Sequence, residues 1–213
     1  MSLAAAVIAS LGVASALFVE ANSMQVSMFN IRPDMLGDYM NSRLAVVFNL
    51  SLLAAGACLF LGTVAIYFTF PDPLSRAIAV VGSLVGLSIA LMGVFPINFL
   101  EWHRKVSTFY LLGSLMLHLL CFADFFRTQS TVTRVVFGLS VLAIITSFNL
   151  IFMLDWTLLD FPPCNDIANH FCLVSSSMWV LTQANILWCV CLGLSMRQHI
   201  VSQQSLSRRF AAA

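Results

Sequence analysis

The chain is 213 residues long, 60% hydrophobic and only 9% charged, with a mean hydropathy of +0.94. An ordinary soluble domain carries roughly 25% charged residues, so this composition excludes one and indicates an all-α, polytopic membrane protein. A formal net charge of +1 without any run of basic residues argues against a nucleic-acid partner and against a polybasic lipid-binding segment.

A spanning helix needs about 20 apolar residues. Six runs meet that length, which leaves no room for a soluble catalytic domain. The first covers 2–20. Its Ala14-Ser15-Ala16 looks like a signal-peptide cleavage site, but no basic residue precedes the apolar stretch, so it reads as a span. A polar loop, 22–42, holds Arg32-Pro33-Asp34 and Gly37-Asp38. The second span, 44–70, ends at Pro71-Asp72-Pro73, and the third, 77–95, at Phe95-Pro96. Gly82, Gly86 and Ala90 recur every four residues in the third, a stripe that lets helix backbones approach, and the second offers Ala55, Gly56 and Gly62. The loop 98–105 carries Glu101-Trp102-His103-Arg104-Lys105. The fourth and fifth spans cover 106–126 and 135–154. A loop with Pro162-Pro163-Cys164 leads to the sixth, 173–196, and a polar tail follows at 198–213.

Threading the chain through these spans sorts its charges. Seven of the nine acidic residues fall on one side: Glu20, Asp34, Asp38, Glu101, Asp155, Asp160 and Asp166, together with His103 and His170. The other side takes six of the ten basic residues: Arg76, Arg127, Arg134, Arg197, Arg208 and Arg209. The Lys/Arg bias of short loops then predicts both termini in the cytoplasm and the acidic face outside or lumenal. Trp102, Trp156 and Trp179 are expected near that outer interface, as an aromatic belt.

Chemistry is best sought on the acidic face, with Asp38, Glu101, His103, Asp166 and His170 as candidates. Acids beside imidazoles suit head-group binding or acid–base work, and a solvated loop face is the competing account. No His-Glu-x-x-His pair or nucleophile motif is present, so no metal site and no cofactor is expected. Within the spans, Asn49, His118, Asn149, Gln183 and Asn185 are costly at membrane depth and are expected to face the interior. There they would hydrogen-bond between helices or line a permeation path. Cys58, Cys121, Cys189 and Cys191 serve as small apolar residues. Cys164 and Cys172 share the last outer loop, where an oxidising compartment favours a disulfide that would pin Asp166 and His170 over the bundle. The one glycosylation triplet, Asn49-Leu50-Ser51, lies inside a span.

Two segments resemble a known superfamily. Asn30-Ile31-Arg32-Pro33-Asp34-Met35-Leu36-Gly37-Asp38, followed by Ala45-Val46-Val47-Phe48-Asn49-Leu50 and Ala55-Gly56, is similar to the pattern that opens the second helix of the DRAM-like superfamily. That group includes the damage-regulated autophagy modulators, the FGF-receptor-activating and post-GPI-attachment proteins, and a prokaryotic family of unknown function. Gly93-Val94-Phe95-Pro96, with His103 seven residues on, is similar to a junction of the prokaryotic members. Arg32-Pro33 stands near the family's Ser-Asp, a departure that displaces Asp34. The resemblance covers residues 28–126, fits six helices, and singles out Asp38, Asn49, Phe95, Pro96 and His103. It implies a multipass protein with relatives linked to GPI-lipid remodelling, autophagy and lipid handling.

The leading expectation is an integral membrane protein that recognises membrane lipid or a partner membrane protein, with a homo-oligomer as a further form of partner. A lipid-modifying enzyme built on the outer-face acids and histidines is the first alternative. A transporter or oligomeric pore is the second. A prokaryotic inner membrane and a eukaryotic endomembrane both fit.

Overall fold

The computed structural model describes residues 1–24, 31–127, 130, 132–164 and 172–211, with side chains described to Asn22 in the first stretch and to Ser195, and at Arg197, in the last. Six helices make up the fold: α1 (Ser2–Met24), α2 (Ala45–Thr69), α3 (Pro73–Val94), α4 (Leu100–Phe125), α5 (Arg134–Met153) and α6 (Leu173–Ala211). A 3-10 turn, Pro33–Gly37, sits in the loop between α1 and α2. Each helix contains a stretch long and apolar enough to cross a membrane, so the protein is a multi-pass membrane protein. Within hydrocarbon the backbone has to bond to itself, and helices meet that demand within one segment.

Two helices start earlier than the hydropathy suggests. Pro71-Asp72-Pro73 does more than end α2. The Asp72 carboxylate accepts from Ser75 N at 3.0 Å and Pro73 takes the first helical position, so the triplet nucleates α3. Helix α4 begins at Leu100, six residues before the expected 106, and converts the expected loop cluster into its first turns. Nothing between Glu101 and Lys105 breaks a helix. Glu101 suits the positive end of the helix dipole, and Lys105 reaches it at 2.6 Å one turn on. Thr133 caps α5 by accepting from Val136 N at 3.4 Å. At the far end, Arg127 clamps Asp72 at 2.7 and 2.8 Å and ties the α2–α3 turn to the end of α4.

Each helix packs on its neighbour in the chain, and α6 returns onto α1, which closes a ring. The tightest seam joins α2 to α3. A Cβ added at Gly56 would lie 2.6 Å from Gly86 O, and one at Gly86 would lie 2.7 Å from Phe60 N. The stripe Gly82–Gly86–Ala90 therefore serves packing within the chain. Gly62 abuts Ser2, and Gly193 abuts Leu3, which sets the start of α1 beside the later turns of α2 and α6.

If these glycines set the α2–α3 distance, Gly56→Ala and Gly86→Ala each cost about 1–3 kcal/mol through overpacking. Gly138→Ala meets nothing within 4 Å and is expected to be neutral or to gain up to about 1 kcal/mol from helix propensity. Thermal unfolding of the three variants in detergent separates these outcomes, and equal behaviour would contradict the seam.

Candidate functional site

The ring of helices encloses a cavity of about 230 Å³. Its walls run from Phe48 to Leu59 on α2 and from Met178 to Cys189 on α6, each roughly 16 Å of helix at 1.5 Å per residue. That is about half the ~30 Å hydrocarbon core, the depth of one leaflet. Small side chains, Ala5, Ala6 and Ala9 on α1 and Ala55 on α2, leave the axis unfilled, and Leu52, Ile89, Leu111 and Leu181 make it apolar.

The rim is charged. Arg32 holds Asp34 through Nε at 3.1 Å and Nη2 at 2.5 Å, and its Nη2 lies 3.5 Å from Asp160 Oδ1. Arg104 donates to the same Asp160 through Nε, at 3.0 Å, and through Nη2. Burial lowers the Arg32 pKa, but Asp34 and Asp160 outweigh it and hold the guanidinium above its ordinary value. Burial raises Asp160, and this is outweighed by the hydrogen bond from Arg104, by Phe161 N–H and by the charge of Arg32, so its carboxyl sits below the usual range. Leu159, in the left-handed region at φ 51°, turns this loop so that Leu159 and Asp160 both line the cavity.

His103 is buried at the same rim. Its Nδ1 lies 2.9 Å from Phe95 O, and a carbonyl only accepts, so Nδ1 carries the proton and Nε2 faces Asp34 Oδ2 at 4.0 Å. Pro96 frees the end of α3 from continuing, and the turn it makes delivers Phe95 O to the imidazole. Nε2 is thus a proton acceptor, or, when protonated, an ion-pair partner for Asp34 or for an anionic ligand.

Deeper in the cavity wall, the two N–H groups of Asn185 Nδ2 are shared among Tyr110 Oη at 3.0 Å, Ser114 Oγ at 3.1 Å and Leu181 O at 3.0 Å. His118 lies behind it, with Nε2 3.3 Å from Asn185 Oδ1 and Nδ1 3.2 Å from Ser140 Oγ. These bonds tie α4, α5 and α6 together in the middle of the bundle, where an unpaired polar group is expensive.

Of the residues singled out from sequence, His103, Asn49 and Asn185 line the cavity. Asn49 Nδ2 bonds Gly37 O at 3.0 Å, so it fastens the 3-10 turn to α2 rather than linking two helices. Asn149 links α5 to α6 through Ser177 Oγ at 2.7 Å. Gln183 departs from the expectation: it faces outward, away from the bundle. Only two positions from Asn185, it lies on the opposite side of a helix with 3.6 residues per turn. Asp38 is on the same end as the rim but serves a loop knot. Its Oδ1 accepts from Met40 N at 2.9 Å and Asn98 Nδ2 at 2.8 Å, and its Oδ2 from Asn41 Nδ2 at 2.5 Å. Burial raises the Asp38 pKa, and these bonds overcome it and hold the carboxyl below its ordinary value. Glu101 is exposed and pairs with Lys105 alone among the described residues. Asp166 and His170 lie outside the described residues.

A disulfide joins Cys164 to Cys172, with Cα atoms 5.7 Å apart. Trp102 and Trp156 are exposed, but Trp179 is not part of a belt. It is buried and donates Nε1 to Ile31 O at 2.8 Å, where Ser175 Oγ also donates, so the loop is anchored to α6. Sequence reasoning put Asp34 and Asp160 on the acidic face and Arg104 beside His103, but it did not join them with Arg32 and Tyr110 into one site. Arg32 and Asp34 are visible as a short charged motif, but no spacing announces that Asp160 returns to them. Among the described residues, no three His, Cys, Asp or Glu side chains are placed to share a metal ion.

Asp38 and Asp160 both have lowered pKa values. The stability they contribute is therefore full above the ordinary carboxylate range, near 4, and is lost as pH falls through their lowered values. The melting temperature in detergent should hold from pH 7 to about 5 and fall below about 4. The double variant Asp38→Asn, Asp160→Asn should melt lower at neutral pH and show a flatter acid limb. An unchanged acid limb would assign the effect to other groups.

No family model, characterised protein or solved structure matches the chain.

Proposed function

We propose that this membrane protein binds one amphiphilic lipid lengthwise in its cavity, with the head group at Arg32, Arg104 and His103 and the chain running down towards Cys189. One observation carries the reading: a slot one leaflet deep, apolar along its walls and charged only at its rim. Ligand sites in general pair apolar walls with a few placed polar groups. The resemblance to the DRAM-like superfamily, whose relatives are linked to lipid handling, points the same way. In this reading the disulfide loop and the rim face an oxidising space, outside or lumenal, and both termini are cytoplasmic. Gln183, an amide on the outward side of α6, is the position from which a second copy or a partner helix would be held, because polar side chains hydrogen-bond between helices in hydrocarbon.

His103 supports a second reading, a lipid-modifying enzyme. Its tautomer is fixed and its Nε2 is held beside Asp34 at 4.0 Å, as a general base at the head group would be. Conversion of the bound lipid to a new mass on incubation, abolished by His103→Gln, would favour it over binding alone.

The binding reading is tested by filling the slot. Ala9→Trp and Thr182→Trp each place a large ring in the cavity, while Phe68→Trp changes an outward side chain that is 80% exposed. Mass spectrometry of protein purified in mild detergent should find lipid on the native chain and on Phe68→Trp, and severalfold less on both cavity variants. Undiminished lipid on both would contradict the reading.

A further inference from the structure

We infer that the head group taken at the rim is zwitterionic, carrying a phosphate and a primary ammonium, rather than simply anionic. The inference rests on the lipid-binding reading and asks what chemistry the rim can complete. Two guanidiniums, Arg32 and Arg104, face two carboxylates, Asp34 and Asp160, all lining the same cavity mouth. The formal charge of these four groups is zero. Their side chains are 16–26% exposed, so they are screened less than surface charges. An anionic head group would add an unbalanced charge to this half-buried set, whereas a zwitterion adds none.

The donors and acceptors point the same way. Each guanidinium spends its Nε and Nη2 on a carboxylate. Among the described residues, neither Nη1 has a hydrogen-bond partner, so each arginine keeps a donor group for phosphate oxygens. The carboxylates keep acceptor capacity of their own. Among the described residues, Asp34 accepts hydrogen bonds from Arg32 alone, and its Oδ2 faces His103 Nε2 at 4.0 Å. A carboxylate offers about four lone-pair sites, and an ammonium with N–H groups can use those left over. A quaternary ammonium has no such donors and favours an aromatic cage. Phe161, which lines this rim, is taken by Arg32, 5.9 Å from its centroid.

The test uses the full chain in nanodiscs of equimolar phosphatidylethanolamine and phosphatidylglycerol with identical acyl chains, followed by mass spectrometry of the lipid that stays bound in mild detergent. The native chain should retain phosphatidylethanolamine over phosphatidylglycerol by about fivefold, the upper end for a partly exposed charge interaction. Asp34→Asn leaves the rim one positive charge in excess and should shift retention towards phosphatidylglycerol. Arg104→Gln leaves it one negative charge in excess and should shift retention the other way. Opposite shifts are not what loss of rim structure alone would give. Lipid that is bound and displaced by Ala9→Trp, yet mirrors the bulk ratio or favours phosphatidylglycerol in the native chain, overturns this inference and leaves the binding reading standing. Lipid that Ala9→Trp and Thr182→Trp fail to displace overturns both.

Discussion

Hydrocarbon gives a polar side chain no partner, so each one at membrane depth has to be satisfied by protein. Asn185 is where this bundle meets that constraint most fully. Its amide joins Tyr110, Ser114 and His118, drawing α6 onto α4, the two helices that flank α5 in the ring. Around this knot the rest of the interior is organised. Beside it and above it the axis is lined by alanines and aliphatic side chains that do not meet, and the space between them is the cavity. Among the described residues, no hydrogen bond joins α4 to α6 nearer the top than Tyr110. Ion pairs among Arg32, Asp34, Arg104 and Asp160 close the gap between loops instead.

The two kinds of closure have different consequences. The mid-membrane knot is buried, and removing a partner would strand a buried polar group. The rim is partly exposed, and its ion pairs are individually weak. A weak, charged, hydrogen-bonding rim over a rigid floor is the arrangement a ligand can enter without unfolding the bundle. Rigidity on the far side comes from α2 and α3, whose glycines bring backbone against backbone. The anchoring of the first loop to α6 through Ile31 O, and to the α3–α4 turn through Asp38 and Asn98, keeps Arg32 and Asp34 in place over the mouth.

Much of this fold is legible in the amino-acid sequence, because apolar length alone marks a spanning helix. The six helices, the glycine stripe and the gathering of acidic residues at one end can all be read there. The inward and outward faces cannot. A soluble helix announces its buried face by periodicity, but a membrane helix is apolar on the lipid side as well. That is why Gln183 and Asn185 look alike in sequence, although one faces out and the other holds the bundle together, and why Trp179 suggests an interfacial belt when it is a loop anchor. The charged cluster at 101–105 hides the start of α4 for a related reason: hydropathy sees the charges, while Glu101 and Lys105 favour the helix. The site itself is assembled from residues 32, 34, 103, 104 and 160, and only the folded ring brings the last of these to the first.

We propose that the hollow along the axis seats one lipid molecule. A density map of the protein in lipid nanodiscs should then show continuous elongated density, with its head between Arg32 and Arg104 and its tail passing Asn185 towards Cys189. Helices collapsed onto the axis, or an open cavity holding only isolated water-sized peaks, would rule the lipid out.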